Sequence, residues 1–179
     1  MDTWIALFRG INVGGRNMLP MAKLKSDLES LKLRNVRTWI QSGNVVFDST
    51  ARGAAGIGRR IARKMMEQHG FSPQVLILSR EELRTAIESN PFPAAVSDPK
   101  SLHFFFLAEP ASQADLKALD EAKTSSEAYE LTDRVFYLHA PAGVGRSKLA
   151  ASAEKRLGVV TTARNYRTVD KLYSMAMQD

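Results

Sequence analysis

Apolar residues recur along this chain at two spacings, and the switches between them mark out its elements. Trp4 to Phe8 is a short unbroken apolar run and predicts a buried strand. Met21, Leu24, Leu28 and Leu31 then fall on one helical face, behind a Pro20 whose fixed φ suits a first turn. Val36 to Ile40 and Val45 to Phe47 predict a strand pair. The joint is Gln41-Ser42-Gly43-Asn44, where glycine and asparagine supply the left-handed conformations of a tight turn. Ile57, Ile61 and Met65 mark a second helix, closed by Gly70. Val75 to Leu78 is a further short strand. Ser79-Arg80-Glu81-Glu82 reads as a capping box that opens a helix with Leu83 and Ile87 inside. Asn90-Pro91-Phe92-Pro93 ends that helix, because proline cannot continue one and restricts the residue before it.

The same order then repeats. Leu102 to Leu107 is a strand, and Ser112 is the expected cap of a helix carrying Leu116 and Leu119. Ala128 to Leu131 and Val135 to Leu138 pair around Thr132-Asp133. A helix with Leu149, Ala153 and Leu157 stops at Gly158, as its counterpart stops at Gly70. Val159 to Thr162 predicts a short strand. Asn165 is the expected cap of a last helix bearing Val169, Leu172 and Ala176. Each half reads β-α-β-β-α-β-α, and its first six elements match the ferredoxin-like split β-α-β order. The expected fold class is α+β: two ferredoxin-like β-α-β-β-α-β repeats with additional helices. The expected boundary puts residues 1–93 in the first repeat and 94–179 in the second, packed as one compact unit.

Composition narrows the function classes. At 179 residues, 44% hydrophobic and 25% charged, the chain can bury a core without metal or disulfide help. There is no cysteine, which excludes disulfides, thiol catalysis and thiolate-held zinc or iron–sulfur clusters together. Met1-Asp2-Thr3-Trp4 lacks the basic and apolar regions of a signal peptide, and no apolar run approaches the roughly 18 residues of a membrane span. A soluble cytoplasmic protein with no membrane partner is expected.

The net charge of +6 conceals an asymmetry. Residues 1–80 carry 13 Lys/Arg against 5 Asp/Glu, residues 81–133 carry 4 against 11, and residues 134–179 carry 8 against 3. If the basic ends meet in the fold, they form a positive face suited to an anionic small molecule or to nucleic acid. The other reading is that these charges cover solvated helix faces.

Three segments carry candidate chemistry. Arg9-Gly10-Ile11-Asn12-Val13-Gly14-Gly15-Arg16-Asn17 leaves a strand and runs toward a helix start. Its glycines let the backbone turn several N–H groups into one concavity, and Arg9 and Arg16 add fork-shaped donors for phosphate or carboxylate. Gly10, Gly14 and Gly15 do not form the G-x-G-x-x-G of a dinucleotide site, and a tight connection with exposed arginines is the competing reading. Gly143-Val144-Gly145-Arg146-Ser147-Lys148 sits at another helix entrance, where free N–H groups and a partial positive charge favour anions. It fails the phosphate-binding G-x-x-x-x-G-K-[ST] pattern, because Ala140 stands five before Gly145 and Arg146-Ser147-Lys148 breaks the Lys-then-Ser order. Thr161-Thr162-Ala163-Arg164-Asn165 offers hydroxyls, a guanidinium and an amide, or simply a cap in Asn165. The candidate anion-binding set is therefore Arg9, Asn12, Gly14, Gly15, Arg16, Gly145, Arg146, Ser147, Lys148, Arg164 and Asn165.

Other features point to packing. His69, His103 and His139 lack metal-ligand spacing, so no metal is expected. No G-x-S-x-G nucleophile elbow occurs, and the acids of the middle segment show no acid–base spacing. Phe104-Phe105-Phe106 point alternately to opposite strand faces, which favours core over a base-stacking platform. Trp4 and Trp39 read as core or half-buried. No cofactor is expected.

A resemblance adds to this. Ile5 to Gly15, then Met21-Ala22-Lys23-Leu24, then Val36 to Phe47 resemble the bacterial domain-of-unknown-function family 1697. Gly145-Arg146-Ser147-Lys148-Leu149 and Thr162 to Leu172 resemble its second signature, with Tyr166 where that pattern has tryptophan. The resemblance spans essentially the whole chain and implies duplicated ferredoxin-like halves. It implies no activity, substrate or catalytic residue. Two functions remain expected alternatives. One is a binding module for an anionic ligand, with the three segments converging on one surface. The other is a small-molecule enzyme with a cleft between the two halves. A third, structural reading is oligomerisation through an exposed sheet edge.

Overall fold

The structure, a computed structural model, describes residues 1–178. Its elements run β1 (Asp2–Arg9), α1 (Met21–Ser30), β2 (Arg34–Trp39), β3 (Asn44–Ser49), α2 (Ala54–His69), β4 (Gln74–Ser79) and α3 (Arg80–Glu88). After a short 3₁₀ turn at Pro93–Ser97 come β5 (Leu102–Leu107), α4 (Leu116–Ala122), β6 (Ala128–Leu131) and β7 (Val135–His139). A second 3₁₀ turn at Val144–Arg146 leads to α5 (Lys148–Leu157), β8 (Thr161–Asn165) and α6 (Tyr166–Ala176). The described residues thus form a mixed α+β protein with two four-stranded antiparallel sheets and six α-helices. Two compact units result: Met1–Thr85 with the chain from Lys171 onward, and Ala86–Asp170.

In the first unit the strand order is β2-β3-β1-β4, with Ala6 opposite Val45 on one side and Ile77 on the other. Trp4, Ala6 and Phe8 point into a core with Leu24 and Leu28 of α1 and Ile57, Ile61 and Met65 of α2. Ile5 and Leu7, on the opposite face, are fully buried too. A strand covered on both faces must be apolar at every position, which is why β1 shows no alternation. Between α1 and α2, the Asp27 carboxylate accepts from Lys23 at 3.1 Å and sits 2.7 Å from His69 Nε2.

The second unit repeats the order as β6-β7-β5-β8. Phe105, Leu107, Phe136 and Leu138 share a core with Leu119, Leu149, Ala153 and Leu157. Phe104 lies on the other face, edge-on to the Tyr137 ring at 4.8 Å. The triple phenylalanine is packing, as its alternation predicts.

Local signals placed most helix ends. The Ser79 N–H donates to Glu82 while Glu82 N–H donates to Ser79 Oγ, a complete capping box. Gly70 and Gly158 both end their helices in the left-handed conformation, at φ 74° and 70°. Asn165 Oδ1 accepts from Thr168 N–H at the start of α6. Two expectations need correction. Asp115, not Ser112, caps α4, its carboxylate accepting from Ala118 N–H at 3.0 Å. A cap must stand directly before the first turn, and α4 is a short helix that begins only at Leu116. Leu116 is accordingly exposed rather than core. β8 starts at Thr161 rather than Val159, because Thr161 is the residue that meets Leu107 of β5. No described helix is long and apolar enough to cross a membrane.

Candidate functional site

The Arg9–Asn17 segment is a built object rather than a slack loop. Gly10, Asn12, Gly14, Gly15 and Asn17 all have positive φ, between 49° and 76°. Val13 and Arg16 pair antiparallel, with Arg16 N–H donating to the Val13 carbonyl at 3.1 Å. With both central glycines left-handed, the tip is a two-residue type I′ turn. Asn12 N–H donates to the Asn17 carbonyl at 3.2 Å and extends this miniature hairpin by one rung.

The two asparagines staple the hairpin to the sheet end. Asn12 Nδ2 donates to the carbonyls of Leu19 and Gln41, each at 2.8 Å, and Asn12 Oδ1 accepts from Leu19 N–H at 2.7 Å. Asn17 Nδ2 donates to the Gly10 carbonyl at 2.8 Å. Asn12 therefore spends its amide on the fold. Asparagine tolerates the left-handed region because its short amide bonds locally, as here.

What faces outward is different. Arg9 Nη1 donates to Gln74 Oε1 at 3.3 Å at the rim, and Arg16 is exposed. A Cβ placed on Gly10, Gly14 or Gly15 would meet nothing within 4 Å, so the tip stands in open space. Two loop amides, those of Asn12 and Arg16, are already used inside the hairpin. What the loop leaves outward is the glycine backbone at the tip and the guanidiniums of Arg9 and Arg16.

The turn between β2 and β3 supports the loop from beneath. Phe8 N–H donates to the Gly43 carbonyl at 2.9 Å. Gly43 lies at φ 69°, and a Cβ there would sit 2.5 Å from Phe8 Cβ and 2.6 Å from Ile11 Cδ1. Ile40 also takes positive φ, at 49°, so β2 ends one residue before the apolar pattern does.

The second unit arranges its candidates around carboxylates of its own. Ser147 is buried, and its Oγ caps α5 by accepting from Ala150 N–H at 2.9 Å. Glu127, only 8% exposed, accepts from Thr124 N–H at 2.9 Å. Burial works to raise its pKa, but hydrogen bonds from Ser147 and Thr124 outweigh burial and hold the carboxyl below its usual range. The entrance of α5 is thus served by an internal anion. Gly145, Arg146 and Lys148 remain exposed around it. Thr161 donates through both N–H and Oγ1 to Glu154 Oε2, at 2.9 and 3.1 Å. Burial pulls the Arg164 guanidinium down to about 10, and its Nη1 donates to the Ala163 carbonyl. Asn165 is occupied as the α6 cap.

Sequence reasoning had no signal for Glu127, nor for the role of Gln41 as an anchor of the loop. It also had none for a polar cleft of about 580 Å³ in the first unit, lined by Met1, Thr3, Asn35, Asp48, Ser79 and Arg80 among others. There Asp48 accepts from Thr3 Oγ1 and Asn35 Nδ2, at 2.9 and 2.6 Å. The cleft lies at the start of β1 and the glycine loop at its end, about 20 Å apart by strand rise. Among the described residues, no group of three or more His, Asp or Glu could hold a metal ion.

Comparison with known proteins agrees with this architecture. Conserved bacterial protein SP0830 from Streptococcus pneumoniae has a similar solved structure, with a TM-score of 0.67 over 98% of each chain at 24% identity. That likeness concerns the fold. A comparison with curated proteins finds no match. The family described as "Protein of unknown function (DUF1697)" matches residues 1–137, and the chain belongs to that family.

Proposed function

We propose that this protein is a binding module for an anionic ligand, a phosphorylated small molecule or a nucleotide or nucleic-acid phosphate, with the Arg9–Arg16 hairpin as its principal contact. One observation carries this reading: a type I′ tip, glycine at both centres, stands in open space in a loop that begins at Arg9 and carries Arg16 directly after the turn. Such a tip lets phosphate oxygens approach the backbone closely, and guanidiniums supply paired donors. Asn12 positions the hairpin. In the second unit the corresponding candidate set reduces to Gly145, Arg146, Lys148 and Arg164, with Arg146 and Lys148 as its exposed charges, while Ser147 and Asn165 serve as helix caps. We further read the two units as copies of one ferredoxin-like plan, supported by their matching strand orders. The cysteine-free composition supports a reducing, cytoplasmic compartment.

A thermal-shift titration with inorganic phosphate, pyrophosphate and nucleotides tests the module. A ligand that binds the native state raises Tm with its concentration. The expected result is a shift that is reduced when Arg9 and Arg16 are both replaced by alanine. No shift with any anion, or one indifferent to both arginines, overturns the reading.

A further inference from the structure

We infer that the hairpin end of the first unit is a duplex-DNA contact that inserts aliphatic side chains, flanked by arginine, into a groove. The inference rests on the anionic-ligand reading and names its ligand. It starts from three side chains that folding leaves outside. Val13, Met18 and Ile40 are 62%, 67% and 52% exposed, among the most exposed large apolar residues in the protein. Val13 lies in the glycine loop and Met18 directly after it, and Ile40 lies in the β2–β3 turn. The Asn12 amide ties these two segments together by donating to Leu19 and Gln41. The three aliphatics therefore stand on adjacent turns at one end of one sheet.

Ile40 makes the case sharper. A β-branched residue at φ 49° is a backbone outlier, and asparagine or glycine would sit there without strain. The turn carries a strained isoleucine whose side chain is mostly in solvent, so packing does not account for it. Strain of this kind marks places where a side chain is held for use.

Shape and charge then select the partner. The tip projects: its glycines face open space and its backbone bonds run within the hairpin or down to the sheet. A projecting apolar tip needs a concave partner. The loop segment from residue 9 to residue 19 contains Arg9 and Arg16 and no Asp or Glu, so the partner's concavity is anionic. B-form DNA offers grooves that admit a two-stranded ribbon, and aliphatic wedges beside arginine are a recurrent way to use them. A-form RNA presents a major groove too narrow for side chains and a shallow minor groove. Single strands are gripped by stacking on aromatic rings, and none of the three exposed residues is aromatic.

Fluorescence anisotropy of the full-length protein with labelled duplex DNA, the matching single strand and duplex RNA tests the inference. Duplex DNA should bind most tightly, with log K falling linearly with log salt. Arg16→Ala should weaken binding and reduce the salt slope by about one. Ile40→Asn combined with Met18→Ser should weaken duplex binding about tenfold while leaving the slope unchanged. Ile40→Asn eases the backbone, so misfolding does not explain such a loss. If the aliphatic variant binds duplex DNA like the parent, or single strands or RNA bind better, the groove contact is overturned while the anionic-ligand reading stands. If DNA fails to bind and phosphate or nucleotides shift Tm through Arg9 and Arg16, the same holds. If neither DNA nor any anion binds, both readings fall.

Discussion

The guanidinium of Arg37 donates to the Met175 carbonyl at 2.7 Å and to the Gln178 carbonyl at 3.0 Å, tying β2 to the last turn of α6. A helix ends in carbonyls without intrahelical partners and a partial negative charge. α6 has no basic residue in its last turn. It borrows one from a strand 138 residues earlier in the chain. Lys171 Nζ, 5.1 Å over the Trp39 ring, adds a second tie between the same elements.

Arg37→Ala should therefore destabilise the protein by about 1–2 kcal/mol, the worth of charge-assisted bonds to partly buried carbonyls. Arg37→Lys should recover only part of this, because Nη1 makes both bonds while Nε donates to the Asn35 carbonyl at 3.3 Å, and an ammonium lacks that second, orienting nitrogen. Urea denaturation gives the magnitude, and hydrogen exchange at the end of α6 gives the location. Unchanged protection there in Arg37→Ala would remove the cap from the account.

Gly43 is the least replaceable turn residue. Alanine there adds a methyl within 2.6 Å of Phe8 and Ile11 and must hold φ 69°. The close contacts are a β-carbon and a buried side chain, so neither can swing away. A loss of about 3 kcal/mol or more is expected from steric conflict and backbone strain together. Gly15→Ala, where nothing lies within 4 Å, should cost only the left-handed backbone penalty of about 1 kcal/mol. Comparing the two midpoints of denaturation separates the steric share from the backbone share.

Asn12 should act on both stability and binding. Asn12→Asp keeps the acceptor for Leu19 N–H but turns two donations, to Leu19 and Gln41, into repulsions between oxygens. A loss of about 2 kcal/mol is expected. Anion-induced Tm shifts should fall with it, because the hairpin loses its anchor to the turn. Retained shifts in a destabilised Asn12→Asp protein would show that the tip binds without that anchor.

His103 predicts a pH dependence. Burial lowers its pKa to about 4 from an ordinary 6.5, and its Nδ1 is buried with no hydrogen-bond partner among the described residues. Below pH 6.5 the unfolded chain takes up a proton that the folded chain refuses until about pH 4. The unfolded state then binds more protons, so this contribution to stability is complete above 6.5 and is lost as pH falls through that window. The slope approaches about 1.4 kcal/mol per pH unit. His103→Gln should flatten the profile between pH 4 and 6.5; an identical profile in the variant would assign the acid sensitivity elsewhere.

Most elements were legible because each carried its own local signal. Gly70 and Gly158 stop helices through a conformation that glycine adopts without cost. Ser79 and Glu82 satisfy each other's amides over three residues. β1 announces burial on both faces by the unbroken apolar run from Trp4 to Phe8. The strand pair around Gly43 follows from turn chemistry alone. Errors arose where a local signal was ambiguous. Ser112 and Asp115 are both good caps, and only the true start of α4 separates them. Ile40 has strong strand preference, yet it takes φ 49° and β2 ends one residue before it.

The sequence by itself determined the element order, most helix ends, the apolar run at the centre of each sheet and the glycine loop, because these depend on the conformational preferences of residues a few positions apart. Only the tertiary structure decided what the loop is. Asn12 looks like a ligand donor until the carbonyl of Gln41, 29 residues on, accepts its hydrogen bond. The entrance of α5 looks like an open anion site until Glu127, twenty residues earlier in the chain, is placed beside Ser147. Whether a polar group is spent or available depends on partners that only folding brings within 3 Å, and short-range pattern carries no record of them.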